Sequence, residues 1–234
     1  MLGCDGSWTG PGGAGSGYLV TAGATNLLVD AGPGTFAVLQ DYLDPALIDA
    51  VFISHHHPDH WTDLPQLASH AQYALGRRGL PIYAPAGLSD RAHLADSPTF
   101  DWHQVTDGDA AHIGALDLTF HRTDHSFETL ALRIEGAGRA LGYSADTGPR
   151  WSLTELGTAI DLVLCEATYT VEHEGTAGHM SGRQAGEQAR NAGAHRLVIT
   201  HRRPTIDASA VASEAAMAFG GPVEQAVIGK EFVL

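Results

Sequence analysis

The chain has 234 residues, 44% of them hydrophobic, and a formal charge of −14 from 13 basic and 27 acidic side chains. That length and apolar content can bury a sizeable core, in one large domain or two fused halves, and no run of about eighteen apolar residues offers a membrane span. The acidic balance excludes a broad phosphate-tracking surface, because non-specific nucleic-acid binding rests on Lys and Arg, which cluster no further than Arg77-Arg78 and Arg202-Arg203.

In chain order, short apolar runs predict strands at Gly17–Thr21, Asn26–Asp30 and Asp49–Ser54. Thr62 then opens a helix that runs to about Leu75 and stops at a glycine. Further strands are expected at Pro81–Ala84, Leu116–His121, Thr129–Glu135, Arg139–Ser144, Asp161–Glu166 and Arg196–Thr200. Several are three- or four-residue Val/Ile/Leu runs without alternation, which suits strands covered on both faces. Ser181 with Gln184 fits a capping box for a helix closed by Gly193. Asp207 caps a last helix over Ala208–Phe219, stopped by Gly220-Gly221.

Hairpins early in each half, followed by strand–helix alternation, predict an α/β protein built as a four-layer αββα sandwich. No linker marks the midpoint, so residues 1–234 read as one domain whose two halves meet near 111–114. No charged n-region and apolar h-region open the sequence, and a cytoplasmic protein is expected. Cys4 and Cys165 sit beside apolar residues and read as small buried hydrophobes in a reducing compartment.

Fourteen histidines against seven phenylalanines point to metal. The densest stretch is Ser54-His55-His56-His57-Pro58-Asp59-His60-Trp61, directly after Val51-Phe52-Ile53. Imidazole and carboxylate are ligands that zinc and similar divalent ions accept. On an extended segment residues i and i+2 point the same way, so His55 and His57 can grip one ion while His56 faces elsewhere. The turn at Pro58 lets Asp59 and His60 aim at a second ion nearby. Three later strand ends offer further ligands: His125 in Thr-Asp-His-Ser, Asp146 in Ser-Ala-Asp-Thr-Gly, and His201 after Leu197–Thr200. Strand ends are where an α/β protein places a ligand site, and the two oxygens of Asp146 can bridge two ions.

On these residues the chain resembles the metallo-β-lactamase-fold superfamily. His55-x-His57-x-Asp59-His60, His125, Asp146 and His201 match its motifs in order and rough spacing over nearly the whole chain. The resemblance implies the αββα sandwich and two divalent metal ions, zinc first, with Mn2+ or Fe2+ as alternatives. It places His55, His57 and His125 on one ion, Asp59, His60 and His201 on the other, and Asp146 between them. Cys165-Glu166-Ala167-Thr168-Tyr169 and Gly178-His179-Met180-Ser181 are similar to the ribonuclease Z branch and its small phosphodiesterase relatives. That likeness gives His179 the scissile phosphate or leaving group and Glu166 the task of orienting it. Ribonuclease Z usually has histidine where this chain has Cys165, so a different surrounding shell is expected. His179 also precedes the cap of a helix, whose free N–H groups favour an anion.

The implied function is a dinuclear metal-dependent hydrolase, a phosphodiesterase on a small substrate such as a cyclic nucleotide. A metal-bridging hydroxide would attack, Asp59 would help orient it, and His179 would assist the departing oxygen. Lactonases, thioesterases and other ester hydrolases of the fold share the ligands and stand as alternatives. A tRNA 3′-processing role wants a protruding Gly/Pro-rich arm and a basic surface, which this sequence lacks. The bridging Asp146 disfavours a β-lactamase, and Asp59, His60 and His201 disfavour a mononuclear-iron sulfur oxygenase. A non-catalytic metal-stabilised binding module is the remaining reading. The expected partner is a small molecule, not a long nucleic acid or a membrane; the sequence leaves the oligomeric state open, though a homodimer is common among similar proteins. Gly10–Gly17 lacks the Gly-Lys-Ser/Thr ending of a phosphate loop and reads as a flexible loop beside the metals that could close over substrate. Trp102, His103 and His173 read as loop residues within reach of the cleft.

Overall fold

The computed structural model describes residues 1–176 and 178–234. Five strands form the first sheet in sequence order: β1 (Tyr18–Ala22), β2 (Thr25–Val29), β3 (Ala50–Phe52), β4 (Leu80–Ala84) and β5 (Phe100–Gln104). The second sheet holds β6 (Ala110–Ile113), β7 (Leu116–Arg122), β8 (Leu130–Gly136), β9 (Arg139–Tyr143), β10 (Leu162–Glu166), β11 (Arg196–Thr200) and β12 (Glu224–Gln225), side by side in that order. In each sheet antiparallel pairing through tight turns comes first and parallel pairing through helices follows.

The helices cover the outer faces. α1 (Thr35–Leu39), α2 (Leu64–Tyr73) and α3 (Leu88–Arg91) belong to the first half, α4 (Gly182–Asn191) and α5 (Ala208–Phe219) to the second. Three apolar layers follow from this order. Between the sheets, Leu27, Val29 and Phe52 meet Leu118, Phe120, Leu132, Leu164 and Val198. The Phe52 and Phe120 rings lie 5.3 Å apart. Val51, Ile53 and Ile82 point the other way onto Leu64 and Leu67, while Val163, Leu197 and Ile199 point onto Ala185, Ala189 and Val211. Strands buried on both faces need no alternation, which explains their uniform Val/Ile/Leu character. The sandwich is the one expected.

Helix ends follow the sequence. Ser181 and Gln184 form the reciprocal capping box of α4, and Asp207 caps α5, which ends at Gly220 in the left-handed conformation. The helix expected from Thr62 to Leu75 is shorter, Leu64–Tyr73. Three strands, β5, β6 and β12, escape the pattern. β5 carries Asp101, His103 and Gln104 because it is an edge strand with one wet side. Trp102 and His103 are therefore strand residues: Trp102 packs on the helix side with Phe100, and His103 stacks on Tyr83 at 4.9 Å. The expected junction near 111–114 is itself strand β6; the chain passes between the sheets at 105–109. Cys4 is partly buried and Cys165 fully, both as free thiols.

Candidate metal centre

The ends of β3, β9, β10 and β11 open on one rim. Ser54 and His55 continue the extended run after β3, and a single 3-10 turn, Pro58–His60, then reverses the chain. Proline at the first position of that turn presets its backbone angle. His57 thus points beside His55, while Asp59 and His60 swing to the neighbouring position. His125 arrives from the β7–β8 connection, Asp146 from the end of β9, and His201 from the end of β11. The parallel register that pairs Glu166 with Thr200 brings the last two strand ends level.

All seven predicted ligands converge, around two foci. At the first, His55 Nε2 lies 2.9 Å from His57 Nδ1, and His125 Nε2 lies 3.1 Å from that same Nδ1. Asp146 Oδ2 stands 3.5 Å from His55 Nε2 and 3.8 Å from His125 Nε2. At the second, His60 Nε2 and His201 Nε2 are 3.3 Å apart, and Asp59 Oδ2 is 3.2 Å from His201 Nε2. Asp146 Oδ1 is 3.3 Å from both His60 Nε2 and His201 Nε2. One carboxylate therefore faces both foci. His56 turns away, its ring beside Gly87 and Phe127.

The donor set fits divalent cations. His60 Nδ1 donates to Asp30, His201 Nδ1 to Thr168 Oγ1, and His125 Nδ1 to the Gly178 carbonyl. His55 Nδ1 faces Ser54 Oγ at 3.1 Å. With the rear nitrogens committed in this way, the front nitrogens present lone pairs to one another. Among the described residues, buried Asp146 Oδ1 has no hydrogen-bond partner. Lone pairs crowded at about 3 Å and an orphaned buried carboxylate oxygen call for positive charge between them.

The electrostatics agree. Burial, joined by neighbouring imidazoles, lowers the pKa of His55, His57 and His125, which keeps them neutral with a lone pair free for an ion. Burial works against an ionised Asp146, but His201, His60 and His55 overcome it and hold the carboxyl well below its usual range. Burial also opposes a proton on His60, yet Asp146, Asp30 and Asp59 raise its pKa well above normal. A bound cation would supply the charge those three carboxylates otherwise draw from a proton.

His179 stands on the less buried side of the site, backed by Glu166. Glu166 is buried at the end of β10 and uses both oxygens: Oε1 accepts from Thr147 N and His179 Nδ1, Oε2 from Thr168 Oγ1 and Met180 N. His179 Nδ1 is thereby committed to Glu166 at 3.0 Å, which leaves Nε2 for other work. Burial pulls against its charged form, but the Glu166 carboxylate, their hydrogen bond and Asp146 raise its pKa to about 9. Cys165 points away into the apolar layer under α4 and α5, so the departure from the ribonuclease Z pattern leaves the Glu166–His179 pair intact.

Several contributors escaped the sequence reading. Asp30 is fully buried at the end of β2 and accepts from Ser54 N, Ser54 Oγ, Tyr143 OH and His60 Nδ1. A carboxylate after Leu27-Leu28-Val29 and before Ala31-Gly32-Pro33-Gly34 is the strand-end signal that flagged Asp146. Thr168 links His201 to Glu166 through its hydroxyl. Asp30, Ala145 and His201 hold φ between 49° and 56°, left-handed backbone at three strand ends that serve the site.

The glycine-rich segment has a structural role. Ala14–Gly17 is buried, and Ser16 N donates to the Asp59 carbonyl. A Cβ at Gly15 would lie 2.6 Å from that carbonyl oxygen and one at Gly32 2.1 Å from it, so both positions admit only glycine. The segment is the floor under Asp59, while Gly10–Gly12 stays outside it.

The family described as the Beta-lactamase superfamily domain matches residues 25–202. An uncharacterized protein of Mycobacterium tuberculosis is 36% identical, over 99% of this chain and 90% of its own length. The probable metallo-hydrolase YhfI of Bacillus subtilis is 32% identical over 86% of this chain and 85% of its own. The crystal structure of YhfI, a metallo-beta-lactamase fold protein, superposes with a TM-score of 0.92 at 30% identity, covering 98% of this chain and 95% of that one. Ribonuclease Z of Methanopyrus kandleri is 28% identical over 87% of this chain and 86% of its own.

Proposed function

The chain belongs to the beta-lactamase superfamily as a metallo-hydrolase, and we propose that it is a phosphodiesterase acting on a small anionic substrate such as a cyclic nucleotide. The observation that carries this reading is the Glu166–His179 pair set beside the two foci. His55, His57, His125 and Asp146 would hold one ion, and Asp59, His60, His201 and Asp146 the other. Two divalent ions, zinc first and manganese or iron as alternatives, supply Lewis-acid polarisation and activation of water near neutral pH.

The chain's own groups do the rest. Asp59 Oδ2 accepts from Ser7 N at 2.7 Å and faces His201 Nε2 at 3.2 Å, so the Ser7 amide steadies the oxygen that stands at the second focus. Asp30 and Thr168 hold the rings of His60 and His201 in one orientation. Glu166 keeps the proton of His179 on Nδ1 and favours a second one on Nε2. A protonated Nε2 on the open side can hydrogen-bond a phosphoryl oxygen and release its proton to a departing alkoxide. A small substrate suits a chain of net charge −14 with only 13 basic side chains, several of them tied to its own carboxylates, as at Arg133–Glu135, Arg139–Asp161, Arg150–Asp124 and Arg183–Glu174.

The test is turnover of bis-p-nitrophenyl phosphate, 3′,5′-cyclic nucleotides and a lactone panel by metal-loaded wild type and His179→Ala. The variant should lose roughly 10²–10⁴-fold on the cyclic nucleotide, the range for a removed general acid. It should lose less on the p-nitrophenyl diester, whose leaving group needs little protonation. Unchanged phosphodiester turnover in the variant sinks the role of His179, and turnover of lactones alone sinks the substrate class.

A further inference from the structure

We infer that Arg203, pinned between the rings of Trp8 and Tyr169, is the substrate-binding cation of this site and holds the negative charge of a phosphodiester. This deepens the phosphodiesterase reading and rests on it. The Arg203 guanidinium carbon lies 4.7 Å from the Tyr169 ring centre and 5.3 Å from that of Trp8. Its Nε donates to Ser7 Oγ at 3.2 Å, and its backbone N–H reaches the Thr168 carbonyl. Among the described residues its terminal nitrogens have no hydrogen-bond partner, and no carboxylate lies within 4.0 Å of it. Arg133, Arg139, Arg150, Arg183 and Arg196 are each tied to an acid; among the described arginines without one, only Arg203 lies against two aromatic rings.

The placement ties this free cation to the metal centre from two sides. Ser7, which accepts from Arg203 through its hydroxyl, gives its backbone N–H to Asp59 Oδ2. Tyr169, on the other side, sets its ring edge-on to His179 at 6.2 Å. Arg203 is thus linked to Asp59 through one residue, Ser7, and to His179 through one residue, Tyr169. Stacking fixes the guanidinium plane, so its in-plane donors are preorganised and little freedom is lost when they bind two oxygens. A guanidinium left unpaired in a chain of net charge −14 suits an anion and has no use for a neutral lactone or thioester. Trp8 is 44% exposed, so the outer side of the stack opens to solvent and can be reached by ligand.

The experiment compares metal-loaded wild type, Arg203→Gln, Arg203→Lys and Trp8→Leu on bis-p-nitrophenyl phosphate and on neutral p-nitrophenyl acetate, with thermal melts as the folding control. Arg203→Gln should raise KM for the diester roughly 10- to 100-fold, the scale of one lost charge-assisted contact, with a smaller change in kcat. The loss on the neutral ester should be at least about tenfold smaller. Arg203→Lys should recover part of it, and Trp8→Leu, which leaves the charge but frees it, should show a weaker loss in the same direction. An unchanged KM for the diester, or equal losses on both esters, overturns the inference and leaves the phosphodiesterase reading standing. A wild type that hydrolyses the neutral ester and no phosphodiester overturns both.

Discussion

Replacing Asp30 by asparagine keeps the shape of the side chain and removes its charge, which isolates what the carboxylate does under His60. Oδ2 accepts from Ser54 Oγ, His60 Nδ1 and Tyr143 OH, and Oδ1 accepts from Ser54 N. The amide would turn its oxygen to the three-donor side and set its NH2 against the Ser54 N–H. One buried donor then loses its acceptor, at about 1–3 kcal/mol. Three charge-assisted hydrogen bonds become neutral ones, each weaker by about 0.5–1 kcal/mol. Asp30→Asn should therefore cost about 3–5 kcal/mol in urea unfolding of the chelated protein. Because the Asp30 contact holds the His60 ring, affinity for the second ion should also fall roughly 10- to 100-fold. A loss below about 1 kcal/mol with unchanged metal affinity would refute the reasoning, since a buried four-donor acceptor cannot be exchanged so cheaply.

Two further outcomes follow from the same geometry. Dialysis against a chelator should lower the thermal midpoint by about 10–20 °C, taking about 2.7 kcal/mol per ion at 100-fold saturation and 2–4 °C per kcal/mol for this length. Calorimetry with and without added zinc checks it, and coincident melts contradict it. Gly15→Ala drives a methyl group against the Asp59 carbonyl. It should destabilise by about 1–3 kcal/mol and weaken the second ion more than the first, read by urea unfolding and metal titration.

The cluster of candidate ligands was legible because His and Asp placed at strand ends leave a local mark: apolar run, then His or Asp. Capping chemistry likewise showed where α4 and α5 begin, since Ser181 and Asp207 act within three residues of themselves. What escaped is carried by long-range contact. Asp30 meets Tyr143 across 113 positions, and Arg203 meets Trp8 from near the opposite end of the sequence; neither pairing leaves a spacing to read. The edge strand β5 hid for another reason. With one side wet, its Asp101-Trp102-His103-Gln104 sequence lacks the apolar signature that marks inner strands. The glycine-rich segment misled because close backbone approach and open loops draw on the same residue. Only the position of the Asp59 carbonyl distinguishes them.

The central claim is that Asp146 stands between two ions, and metal content with anomalous scattering tests it most directly. Protein loaded with zinc and freed of excess should carry two ions per chain. Anomalous difference peaks should fall among His55, His57 and His125, and among Asp59, His60 and His201, each within ligand distance of Asp146 at about 2.0–2.2 Å. A single ion per chain, or two peaks that do not share Asp146, would contradict the account.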